Sequence, residues 1–131
     1  MDYRAVPHAV LTNPAVASVG LADAQANAPG TIRCACNFVP LDKIPKPVIV
    51  DNPRGLVKIV VNWQTKGILG VHILASLAAK MIMEGVLAVK HGLTLEGIID
   101  TVHVFPTYGE AFKTTALSFF EDVDKLSCWS Q

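Results

Sequence analysis

The stretch Leu56-Val-Lys-Ile-Val-Val-Asn-Trp-Gln-Thr-Lys-Gly-Ile-Leu-Gly-Val-His-Ile-Leu74 holds two runs rich in β-branched residues, joined by a short turn around Gln64 to Gly67. That pattern predicts an antiparallel hairpin. Directly behind it, Ser76 to His91 predicts a long helix with almost no polar face. Its charges are Lys80, Glu84 and Lys90, of which the first two form an i,i+4 pair on one narrow stripe; the rest of the circumference is Leu, Ile, Met, Val and Ala. A hairpin followed by so apolar a helix predicts an α+β fold, with a mostly antiparallel β-sheet and helices packed on one face. The helix needs cover on more than one side, which a single sheet does not offer.

Toward the N-terminus, Pro7 and Pro14 favour extended chain from Met1 to about Gly20, with Val16 to Val19 a short strand. Leu21 to Asn27 reads as a short Ala-rich helix closed by Pro29-Gly30. Thr31-Ile-Arg-Cys-Ala-Cys-Asn-Phe38 alternates as a half-buried strand that places Ile32, Cys34, Cys36 and Phe38 on one face. Pro40, Pro45, Pro47 and Pro53 make Val39 to Gly55 a long loop with at most a piece of edge strand.

Toward the C-terminus, Leu93 to Asp100 predicts a helix capped by Thr94, and Val102-His-Val-Phe105 a strand. Pro106-Thr-Tyr-Gly-Glu110 opens a last helix, with Thr107 and Glu110 at the spacing of a capping box. Phe112, Ala116, Phe119 and Phe120 fall on one face of it as an inward stripe. From Asp122 onward the chain is polar, so one domain over residues 1–121 is expected, with a mobile tail over 122–131.

The chain has 131 residues, enough for one domain with its own core. Eleven basic residues balance eleven acidic ones, which argues against a nucleic-acid or anionic-membrane partner. Only 17% of residues are charged and 51% are hydrophobic, an apolar balance that points to surface buried against a partner. No run reaches the length of a membrane span and the first residues lack a signal-peptide pattern, so a cytoplasmic protein is expected. Three cysteines, Cys34, Cys36 and Cys128, are too few and odd in number for a disulfide framework.

Several residues invite a chemical role. Cys34 and Cys36 on one strand face are a conceivable two-thiol metal site, but Ile32 and Phe38 share that face and favour buried core cysteines. Cys128 lies in the polar tail and is the better placed reactive thiol. His8, His72, His91 and His103 have no ligand-like spacing to the cysteines, so no zinc site is expected. Met81 and Met83 read as core or interface filler.

The order of motifs resembles the C-terminal dimerisation domain of the pyridine nucleotide–disulfide oxidoreductases, and within that family the mercuric reductases. Thr12, Pro14, Ala17, Val19 and Gly20 match its opening signature, with Ala15 where Glu is usual. Gly55-Leu-Val-Lys-Ile-Val60 and Gly67-Ile-Leu-Gly-Val-His-Ile-Leu74 resemble its central hairpin, and the match runs from about Pro7 to Cys128. The resemblance implies packing against a two-fold mate, with the turn at Phe105, Pro106, Thr107 and Glu110 completing the opposite subunit's active site. Glutathione-reductase-like members carry a His–Glu acid–base pair there and mercuric reductases a Tyr at the first position. Phe105 can neither transfer a proton nor donate a hydrogen bond; Tyr108 and His103 stand nearby but off the matching position. Without that partner, Glu110 reads as a helix-capping carboxylate.

Leu126-Ser-Cys128 resembles the tail in which mercuric reductases carry a vicinal cysteine pair for Hg(II), with Trp129 in place of the second Cys. The family's full-length members use FAD and NADPH, but this chain has neither Gly-x-Gly-x-x-Gly nor Cys-x-x-x-x-Cys, so it is expected to bind no cofactor and not to be catalytic alone. The leading expectation is therefore a homodimerisation domain, possibly pairing with a full-length reductase subunit. The alternative is a small thiol module that binds Hg(II) or another soft metal through Cys128.

Overall fold

A computed structural model of the chain describes residues 3–30 and 33–126. The strands are His8–Val10 (β1), Ala15–Gly20 (β2), Cys34–Pro40 (β3), Leu56–Asn62 (β4) and Ile68–Ala75 (β5). The helices are Asp23–Ala26 (α1), Pro45–Ile49 (α2), Ala78–His91 (α3), Leu95–Asp100 (α4), Glu110–Leu117 (α5) and Val123–Leu126 (α6). All strand pairings are antiparallel, in the order β1-β2-β5-β4-β3. The expected α+β sheet with helices on a face is therefore what the chain builds.

Strand alternation sorts the sheet into two faces. Ala17, Val19, Val57, Ile59, Val71 and Ile73 point to one side and join Ala78, Ile82, Val86, Leu95, Phe112 and Ala116 in a single core. Gly85 lets α3 lie close on β5, since a Cβ there would meet Val71 at 2.9 Å. The other face carries Ser18, Lys58 and His72, and the side chain of Asp23 from α1 reaches across to Lys58 at 3.2 Å. His72 anchors this edge of the sheet: its Nε2 faces the Leu21 carbonyl at 3.0 Å and so carries the proton, leaving Nδ1 to accept from the Ser18 hydroxyl at 3.0 Å.

Several elements differ from what the sequence predicts. The extended N-terminal segment forms a second strand, β1, which pairs Val10 with Val16. The proline-rich loop contains α2, because Pro45 sits at its first turn, where a missing amide costs no intrahelical bond, and Pro45 and Pro47 are buried. Val102 to Phe105 form no strand. The segment joins neither edge strand of the sheet, β1 or β3; the Val104 carbonyl instead accepts from Thr107 Oγ1 at 2.7 Å, and just before the segment Thr101 O accepts from Lys113 Nζ at 3.0 Å.

The inward face of β3 is also the opposite of the one expected. Val39 is fully buried and Ala35 packs on the core, whereas Cys36 and Phe38 are exposed. Asn37 makes this face possible, donating through Nδ2 to the Ser118 carbonyl at 2.9 Å at the end of α5. A polar side chain on the inner face thus caps a helix rather than being stranded. The aromatic stripe of α5 is only partly inward: Phe112 and Ala116 are buried, Phe119 packs on the core's edge, and Phe120 is half exposed. The polar tail begins with a folded turn, α6, whose Val123 packs on the core and whose Asp124 pairs with Lys43 at 2.7 Å. No helix among the described residues is long and apolar enough to cross a membrane.

Candidate functional site

Four hydrogen bonds, from Thr107, Tyr108 and both ring nitrogens of His103, hold the turn from Thr101 to Glu110. Thr94 accepts the Gly97 amide at 3.2 Å and caps α4, which delivers the chain to Thr101. Thr107 closes the turn onto Val104 O, and Tyr108 donates its hydroxyl to Asn52 O at 3.3 Å, tying the turn to the connection before β4. His103 Nδ1 faces Thr101 O at 3.0 Å while Nε2 faces Glu84 Oε1 of α3 at 2.5 Å. Both ring nitrogens thus meet oxygen atoms, so the ring bridges α3 and the turn. The peptide bond between Phe105 and Pro106 is cis.

These ties leave the apolar side chains of the turn exposed among the described residues. Val102 is 92% exposed, Val104 75% and Phe105 57%. Met83 and Leu87 of α3, which flank Glu84 along the helix, are each about half exposed as well. A cleft of about 550 Å³ runs beside the turn between Lys46, Leu77, Lys80, Met81 and Tyr108.

Glu110 begins α5, whose N-cap position is Gly109 rather than Thr107. Half of the expected capping box exists: the Thr107 amide bonds the Glu110 carboxylate, while the Thr107 hydroxyl goes to Val104 O instead of back to the helix. Glu110 Oε2 is buried without a hydrogen-bond partner. Burial pushes this carboxyl above the usual range, opposed by the Thr107 amide and the charge of His103. The folded chain therefore holds the Glu110 proton to higher pH than the unfolded chain does. Between those two values the native state binds more protons, so stability falls as pH rises through the window and levels off above it. Glu110→Gln keeps an acceptor for the Thr107 amide and removes the ionisation. Urea denaturation from about pH 4 to about pH 7 should show a shallower decline in the variant than in the wild type; parallel curves would mean that the carboxyl is solvated.

Of the residues singled out from sequence, Phe105, Thr107, Tyr108 and Glu110 are brought together in one turn. Cys128 and Trp129 lie outside the described residues. Cys34 and Cys36 sit on the far face of the sheet from the core and are not part of this turn. The pairing of Glu84 with His103 has no local signature, since nineteen positions separate the two. Sequence offered Glu84 only as a partner of Lys80, and His103 as a scattered histidine or a stand-in near the turn for the residue that Phe105 replaces.

The crossing from β5 to α3 runs through Ser76 and Leu77 without glycine, and Leu77 provides no side-chain cap. That helix start does not fit a dinucleotide pyrophosphate, which needs a glycine-lined approach to the first amides.

Residues 6–116 match the family model described as the pyridine nucleotide-disulphide oxidoreductase dimerisation domain. Mercuric reductase of Staphylococcus aureus is 39% identical over 128 residues, covering 98% of this chain and 23% of that protein. Mitochondrial dihydrolipoyl dehydrogenase 1 of Arabidopsis thaliana is 38% identical over 121 residues, covering 92% of this chain and 24% of that protein. Among solved structures, LpdA of Mycobacterium tuberculosis superposes with a TM-score of 0.85 at 23% identity over 92% of this chain and 26% of that one, which supports the fold. The chain spans about a quarter of the length of these curated relatives. A family match across the turn, the hairpin and the core helices means that the chain belongs to the pyridine nucleotide–disulphide oxidoreductases, as their dimerisation domain, close to the mercuric reductases.

Proposed function

We propose that this chain acts by self-association, as the homodimerisation module of a cytoplasmic, mercuric-reductase-like flavoprotein. The observation that carries this reading is the exposed apolar band of Val102, Val104 and Phe105, fixed beside Met83 and Leu87 by the His103–Glu84 tie. Burying a side chain of this size contributes about 1.5–3 kcal/mol, and several together offset the cost of association. FAD and NADPH would be held by the parts of the relatives that this chain does not span. The turn then presents Phe105 to the partner, with Thr107, Tyr108 and Glu110 behind it. Phe105 offers shape and no proton, so the turn serves contact rather than acid–base catalysis.

Light scattering over a dilution series tests the reading. The expected mass is twice the 14.0 kDa of the chain, persisting on dilution. A monomer at every concentration would overturn it and bring forward the reading of a thiol module binding Hg(II) through Cys128. A complex formed only on mixing with a full-length reductase would identify that subunit as the partner.

A further inference from the structure

The chain is neutral overall, but its charges are not evenly spread. Residues 93–126 hold six acidic residues, Glu96, Asp100, Glu110, Glu121, Asp122 and Asp124, against two lysines, Lys113 and Lys125. Three of these carboxylates, Glu96, Asp100 and Glu121, rim an open groove of about 700 Å³ between α4 and the end of α5. Its apolar lining is Ile99, Leu117 and Phe120, and Phe120 is 50% exposed although its neighbour Phe119 packs on the core. We propose that this groove docks a cationic amphipathic helix of another protein, with apolar side chains seated on Phe120 and lysines or arginines against the carboxylate rim.

The charge around the groove stays negative when every neighbour is counted. Among the described residues the ion pairs, Lys43–Asp124, Lys58–Asp23 and His103–Glu84, involve none of the three rim carboxylates. Lys113 gives its ammonium to the Thr101 carbonyl at 3.0 Å, and Lys125 belongs to α6, outside the lining. With both lysines set against Glu96, Asp100, Glu121 and Asp122, and Asp124 against Lys43, two negative charges remain. Glu96 and Asp100 also stand four apart on α4, where like charges repel and weaken the helix until a cation lies between them. Because α5 ends at Leu117, the negative pole of its dipole adds to the same field.

Shape and spacing set the class of occupant. Among the described residues, no three His, Cys, Asp or Glu side chains are gathered to hold a metal ion, so the rim suits charges spread along a surface rather than one ion. The same field repels phosphate-bearing ligands and anionic membranes. Two helices side by side leave a trough that takes the ridge of a third. An amphipathic helix with anchors at i, i+3 or i+4, and i+7 matches an apolar floor between charged edges. The groove shares no residue with the band of Val102, Val104, Phe105, Met83 and Leu87, so docking here does not depend on self-association there.

The test titrates the whole chain into a fluorescent helical peptide of leucine and lysine, with a leucine–glutamate peptide as control. Saturable binding of the lysine peptide is expected, weakening as salt is raised. Affinity should fall about 10-fold in Glu96→Gln/Asp100→Asn/Glu121→Gln and about 10-fold in Phe120→Ser. Absence of saturable binding, equal binding of the glutamate peptide, or undiminished affinity in either variant would overturn the site. Amide NMR shifts in the wild-type chain give a readout that needs no variant. Gly97, Ile99, Leu117 and Phe120 should move, and shifts confined to the turn at Val102 to Phe105 would overturn the assignment. A fall in the light-scattering mass of Phe120→Ser would give the groove to a second copy of the chain and overturn the proposed partner.

Discussion

Replacing both Val104 and Phe105 by aspartate should turn the dimer into a monomer while the fold stays intact. Val104 is 75% exposed and Phe105 57% exposed, and neither belongs to the core. Surface changes of this kind usually shift stability by no more than about 0.5 kcal/mol. In the dimer the same positions would place carboxylates where apolar contact had excluded water, a burial that costs several kcal/mol unless a partner charge is present. The dissociation constant should rise by at least 100-fold, equivalent to about 2.8 kcal/mol. Light scattering gives the mass and circular dichroism checks the fold. A folded double variant that remains dimeric at the same concentrations would place the interface elsewhere.

The second large effect belongs to the fold itself. Gly20 and Gly70 pair across β2 and β5, where the chain leaving β2 crosses tightly over its neighbour and Leu21 N donates to Leu69 O at 2.9 Å. A Cβ on Gly70 would stand 2.1 Å from the Leu21 carbonyl oxygen, and one on Gly20 would stand 2.1 Å from the Leu69 carbonyl oxygen. Gly20 also has φ +76°, a conformation that side chains disfavour. The obstructing atoms are backbone, so no side chain can swing aside. Gly70→Ala should therefore cost about 3 kcal/mol or more, by forcing the crossing open and breaking the Leu21 bond. Urea midpoints compared at one fixed chain concentration measure it, since under the proposed self-association stability depends on concentration. A loss below about 1 kcal/mol would show that the crossing can relax.

Both effects depend on features that the sequence makes legible to different degrees. The hairpin, the long apolar helix and the Thr94 cap could be read directly, because each rests on a period or a spacing between residues close in the chain. The capping-box spacing placed Thr107 and Glu110 at one helix start, but only the family resemblance joined Phe105 to them, since local chemistry put Phe105 in a strand. Nor was local chemistry enough to assign the Thr107 hydroxyl, which is equally near the helix amides and the Val104 carbonyl and takes the latter. In β3 the alternation was correct and the choice of face was not. Two faces of a short strand differ by a few side chains, and what admits Asn37 to the inner face is the Ser118 carbonyl at the end of α5, far off in sequence.

The segment from Val102 to Phe105 makes the same point more sharply. Its β-branched and aromatic residues suit a strand, but a strand exists only where another strand lies alongside, and the ends of this sheet are elsewhere.

By itself the sequence determined the α+β class, the antiparallel hairpin, the long helix behind it and an apolar excess that calls for a partner. Those follow from periodicity and composition, which are properties of neighbours along the chain. Only the tertiary structure decided where that excess surfaces, which face of β3 turns outward and how His103 meets Glu84. Each of these is a contact between residues far apart in sequence, fixed by which backbone and side-chain groups remain unsatisfied once the sheet and helices have packed.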